Sequence, residues 1–301
     1  MRKILASFAV PACFALAACG GGDDGGPASS GPAIKLTYSG APLVASHRAR
    51  TMAAVTDLSS AASAPGVSSG DVQPTITALQ NAFKARGADI GVYPGVIDGT
   101  TLHQLVMAEG NGAPPTVNEI VNSKTNISEW VLVNFEFDDM SGFIDTDDKR
   151  EKALQFERDL NTYVKREYLK GRVVFAALPI VSCAADKEGS STDGNGNTVS
   201  APVPSASKAL YNAISTASRG DNVFQFATVG GTLNADPSHM GADCSTPDQA
   251  VKDAHLASIA DPLVERYRVA LDTINKCKYN PEAIPEDGRS AQCWGIDPVK
   301  K

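Results

Sequence analysis

Beyond Ala18 the chain has no apolar run approaching the roughly 20 residues that a bilayer-spanning helix needs. It also lacks a surplus of positive charge. Lys and Arg number 27 against 34 Asp and Glu, a formal net charge of −7, which argues against a surface built to track nucleic-acid phosphates. Cysteines number six and histidines four, with no C-x-x-C pair, so the spacing of a zinc site is missing and no metal or cofactor is expected. What is present is ordinary for a folded protein. At 43% hydrophobic and 20% charged, the chain can bury a core, and wholesale disorder, collagen and coiled coil are excluded. Twenty-six Gly and 18 Pro point to many loops and one flexible segment.

The beginning reads as an address. Arg2 and Lys3 precede a run of apolar or small residues from Ile4 to Ala18, too short to span a bilayer and suited to a signal-peptide core. Leu16-Ala17-Ala18-Cys19 resembles a bacterial lipobox, which implies cleavage before Cys19 and lipidation of its thiol and amine. Several acyl chains make anchoring stable where one would be marginal. Gly20 to Gly31 holds no apolar residue larger than alanine, so it reads as a tether. Gly20 rather than aspartate after the lipidated cysteine favours the outer membrane. The expected organisation is a signal peptide over 1–18, lipidated Cys19 and tether over 19–33, a folded domain over 34–275 and a tail over 276–301.

Cys13 leaves with the signal, and Cys183, Cys244, Cys277 and Cys293 remain. In an oxidising compartment these suggest two disulfides, with three connectivities open. The preferred pairs are Cys183–Cys244, which would join two loops, and Cys277–Cys293, which would tie down the Pro-rich tail.

Hydrophobic periodicity orders the rest. Strands are expected at Ile34–Tyr38, Asp89–Tyr93, Trp130–Phe135, Arg172–Leu178 and Val223–Phe226. Helices are expected at Thr75–Arg86, Thr100–Met107, around Val117–Val121, and at Lys149–Lys170, Ser205–Ala217 and Gln249–Ile274, the last kinked or restarted at Pro262. Asp186–Ser200 reads as a surface loop. Near-continuous apolar strands alternating with helices predict a three-layer α/β/α fold with a parallel, roughly five-stranded sheet. Sites in such sheets lie beyond the carboxyl ends of the strands.

Polar clusters fall at those ends: Ser39-Gly40-Ala41-Pro42, Gly95 to Thr101, Glu136-Phe137-Asp138-Asp139, and Asn234 to His239. Asp236, three residues before His239, could hold the imidazole by one nitrogen and free the other as a base. In order and placement these clusters resemble the blocks of the SGNH (GDSL-like) hydrolase family, over roughly residues 34–275. The resemblance implies a flavodoxin-like sheet and ester-bond hydrolysis. It implies a base and orienter in His239 and Asp236, and an oxyanion region at Gly40, Gly99 and Asp138.

The chain departs from the family pattern at two places. Pro42 stands where the nucleophilic serine belongs, with neither hydroxyl nor N–H, and Asp138 stands where an asparagine should donate to the oxyanion. Activity by the family route is therefore expected to be lost. The alternatives are an active esterase using a displaced serine, Ser39 or Ser46, or a non-catalytic envelope protein. The expected partners are the membrane, through the N-terminal lipid, and a small ester, glycan or lipid ligand.

Overall fold

The structure is a computed structural model that describes residues 31–43, 69–138, 140–192, 194–220, 223–231 and 236–299. The signal peptide, Cys19, the tether up to residue 30, Ser46, Asp139 and residues 232–235 lie outside the described residues.

The elements run β1 (Ile34–Gly40), α1 (Ser69–Ala85), β2 (Ile90–Pro94), α2 (Leu102–Ala108), α3 (Val117–Asn122), β3 (Glu129–Asn134), α4 (Asp147–Leu169) and β4 (Val173–Ala177). Then follow β5 (Ser190–Thr192), β6 (Thr198–Ser200), α5 (Ala206–Arg219), β7 (Ala227–Val229), α6 (Gln249–Tyr279) and α7 (Glu286–Gln292). Five strands form one sheet in the order β2-β1-β3-β4-β7, and every pairing in it is parallel. Counting only those five, the order is the doubly wound 2-1-3-4-5, whose switch point lies between β1 and β3.

Alternation along the strands divides the core in two. Leu36, Trp130, Leu132 and Phe175 face α1 and α6, while Val131, Val133, Val174 and Ala176 face α2 to α5. The continuous apolar run of β3 follows from this, because both its faces are covered. Threonine caps fix the short helices. Thr101 with Gln104, and Thr116 with Glu119, form capping boxes at the starts of α2 and α3.

Several elements differ from expectation. The last strand is Ala227–Val229 rather than Val223–Phe226. Phe224 instead fills the core from a coil, 5.0 Å edge-on from the Tyr168 ring. The Asp186–Ser200 loop contains the antiparallel β5–β6 hairpin. Finally, α6 runs through Pro262 as one helix. Proline has no N–H to give the carbonyl four residues earlier, that of Ser258. Gly230, just after β7, supplies the missing donor: its N–H reaches Ser258 O at 3.2 Å.

The 275/276 boundary falls inside α6, and Cys277, Ile284 and Ile296 are buried in the core beside α1. Cys277 is bonded to Cys293, and Cys183 to Cys244, the two preferred pairs. With 16 and 61 residues of sequence separation, chain-entropy arguments give about 3 and about 4 kcal/mol respectively.

Gly230 has φ +82°, and a Cβ there would lie 2.9 Å from Ile259 Cγ1 and 3.3 Å from both His255 Nε2 and Leu178 O. Gly230→Ala is expected to lower the unfolding free energy by about 2–4 kcal/mol, from left-handed strain plus overpacking. Gly231→Ala, with open space around its Cβ, should stay within about 0.5 kcal/mol. Denaturant titration of both variants checks the contrast.

Candidate ligand cleft and histidine pairs

The carboxyl ends of β1, β3 and β4 open into a cleft of about 510 Å³, a size that suits a small ligand. Pro42 and Leu43 line it after β1, Asn134 to Phe137 after β3, and Ala177, Pro179 and Ile180 after β4. Leu210 and Ile214 of α5 and His255 of α6 complete the apolar side and floor.

The floor is a junction of three elements. Leu178 N–H donates to Val229 O at 2.8 Å, joining β4 to β7. His255 Nε2 lies 2.7 Å from Leu178 O. A carbonyl only accepts, so Nε2 carries the proton. Burial holds this imidazole below its ordinary pKa, and it stays neutral. The sequence reading of His255 as structural agrees with this bond, although the residue also lines the cleft.

One wall is strapped by a covalent bond. Residues on both sides of Cys183 and Cys244 line the cleft: Ser182 and Ala184, then Asp243 and Ser245. The Cys244 carbonyl also accepts from Cys183 N–H at 3.0 Å and from Ser182 Oγ at 2.7 Å. At the base of the same loop, Asp248 N–H donates to His239 O at 2.8 Å. His239 Nδ1 lies 2.6 Å from Asp248 Oδ2.

That contact changes the expected assignment. The carboxylate on His239 is Asp248 and not Asp236. Asp236 turns onto its own chain, accepting from Ser238 N–H at 2.9 Å and Ser238 Oγ at 2.8 Å, and so caps the turn Pro237–His239. Asp248 also caps α6 through Val251 N–H at 3.0 Å, which fixes its second oxygen towards the ring. Because its acceptor is a carboxylate, Nδ1 carries a proton, and among the described residues no hydrogen bond reaches Nε2. His239 is half exposed and does not line the cleft.

The other expected site residues scatter. Ser39 is 2% exposed, and its Oγ accepts from Val96 N–H at 3.1 Å under Gly95, whose added Cβ would fall 2.2 Å from that oxygen. It lies against Tyr163, so it faces the core and cannot serve as the displaced nucleophile. The Gly40 N–H is spent on Val96 O at 2.8 Å. Gly99 sits in an exposed turn with φ +85° beside Asp98, which takes both Thr100 donors. Asp138 is exposed and does not line the cleft. Of the positions singled out, Pro42 and Glu136 do line it. Sequence reasoning missed Asn134, which is buried at the end of β3 and donates from Nδ2 to Ala41 O at 2.8 Å. Its place as the first polar residue after an apolar strand was the available signal.

His103 pairs with buried Asp159 at 2.9 Å, which ties α2 to α4. Among the described residues no three His, Cys, Asp or Glu side chains gather as a metal site would require.

No protein-family model matches the chain, and no curated protein does. Among solved structures it is similar to a psychrotrophic esterase, EstA, from a Pseudoalteromonas species, inhibited by monoethylphosphonate. The identity is 12% and the TM-score 0.37, over 79% of this chain and 98% of that one.

Asp248, by hydrogen bonding and by charge, raises the His239 pKa above the ordinary imidazole value, and His239 lowers that of Asp248. The imidazole's contribution to closing the loop is full below its ordinary pKa and fades as pH rises through the raised one. The carboxylate's contribution is present above the ordinary Asp value and is lost as pH falls through the lowered one. NMR titration should show His239 titrating above a free imidazole, and Asp248→Asn should bring it back down.

Proposed function

We propose that this chain is a lipid-anchored protein of the bacterial envelope, of SGNH-hydrolase ancestry, that binds a small and largely apolar ligand in the strand-end cleft. On this reading it does not hydrolyse esters by the serine route. Pro42 carries the proposal: it lines the cleft, the sequence resemblance sets it where the family's nucleophile belongs, and it has no hydroxyl and no N–H to give. Two further observations support it. The Gly40 amide is already bonded to Val96 O, so it has no proton left for an oxyanion. Among the described residues no serine or threonine hydroxyl bonds to the His239 or His255 ring.

One observation favours a second reading. His239 with Asp248 is an oriented base, two of the three members of a hydrolytic triad. An active esterase would need a hydroxyl from elsewhere in the chain, and Ser46 is the sequence candidate.

The mature chain is expected to leave p-nitrophenyl butyrate at the solvent rate and to resist labelling by a fluorophosphonate probe. Turnover and labelling that vanish in both Ser46→Ala and His239→Ala would establish the esterase reading instead.

The anchor is tested separately. Palmitate labelling should depend on Cys19, and Cys19→Ala should move the protein from membrane to soluble fractions. A wild-type chain without label would remove the lipid from the proposal.

A further inference from the structure

Among the described residues the charged side chains that line the cleft have one sign: Glu136 and Asp243 are acidic, and no lysine or arginine lines it. Among the described residues the Glu136 carboxylate has no hydrogen-bond or ion-pair partner, although it sits close enough to the end of β1 to act electrostatically on Tyr38. Asp243 is bonded only to neutral donors: the N–H groups of Ser245 and Thr246, both at 3.1 Å, and their hydroxyls at 2.6 and 2.9 Å. Those donors hold its carboxyl down at about 2, so it stays ionised across the physiological range. Two ammonium groups at the wall already have partners. Lys149 binds the Ser141 and Phe143 carbonyls and pairs with Asp145, and Lys187 also pairs with Asp145. Lys187 sits 4.2 Å from the centre of the Phe143 ring, so one aromatic ring of the wall already accepts a cation on its face.

We propose that the cleft takes a cationic amphiphile, an alkyl or aryl ammonium whose chain lies on the apolar wall and whose charge faces Glu136 and Asp243. Leu43, Phe137, Met140, Ile180, Leu210 and Ile214 give the chain an apolar surface that its water-facing alternative lacks. An anion of the same length would bring its charge towards these two carboxylates, and the chain's net acidity adds to that cost. The proposal rests on the reading of the cleft as a ligand site and names the ligand's class.

Calorimetric titration of the mature chain with decyltrimethylammonium and with decyl sulfate, each below its micelle concentration, separates the two. The ammonium should bind about three- to tenfold tighter, the size expected of two partly exposed charge pairs. The preference should shrink in Glu136→Gln, whose side chain is exposed and leaves the core untouched, and should shrink with added salt. Ala184→Trp, which fills the cleft from its rim, should weaken both ligands. Equal binding of the two, or tighter binding of decyl sulfate, overturns the cationic preference and leaves the cleft a ligand site. Binding that Ala184→Trp does not affect places the amphiphile elsewhere and overturns the proposal. Absence of binding by either amphiphile overturns the cleft reading itself.

Discussion

Two carbonyls at the carboxyl end of the sheet decide how this molecule is built around its cleft. One belongs to Leu178 and the other to Ser258. The first takes the His255 ring proton, and the second takes the Gly230 amide because Pro262 has none to offer. A buried carbonyl without a donor costs on the order of 1–3 kcal/mol, so each bond specifies which elements may meet. Together they join β4, β7 and α6 at one point. A side chain larger than hydrogen at position 230 would push them apart. The cleft floor is therefore a consequence of hydrogen-bond satisfaction, and burial at that junction holds the His255 imidazole below its ordinary pKa.

The wall above that floor is held differently. Residues 239 to 248 form a loop closed at its base by the His239–Asp248 contact and near its tip by the bond between Cys244 and Cys183. A base-and-carboxylate pair that elsewhere would activate a nucleophile here also closes a loop, and Asp248 caps a helix as well. Its imidazole lies outside the cleft that contains Pro42. Among the described residues the cleft offers apolar surface with two carboxylates, Glu136 and Asp243.

The layered sheet was legible in the sequence because burial on both faces leaves a strong trace. Trp130 to Val133 and Val173 to Ala177 are continuous apolar runs for that reason alone, and α1 and α4 carry apolar residues at helical spacing. The exceptions share a cause. Val223 to Phe226 has a strand's composition, yet Phe224 is needed in the core from a coil and the ladder begins three residues after it. Pro262 carries a helix-breaking signal that a donor from a distant loop cancels, and local pattern cannot announce such a donor.

By itself the sequence determined the alternation of strands and helices, the parallel sheet and the strand ends as the place for a cleft. These follow from period, apolar runs and residue chemistry, which are local. Only the tertiary structure decided that Asp248 rather than Asp236 meets His239, that Ser39 is turned into the core, and that Asn134 and His255 line the cleft. Side-chain direction depends on which hydrogen bond satisfies each group. Those partners come from 9 residues away for His239, 57 for Ser39, 77 for His255 and 93 for Asn134, distances over which spacing along the chain carries no information.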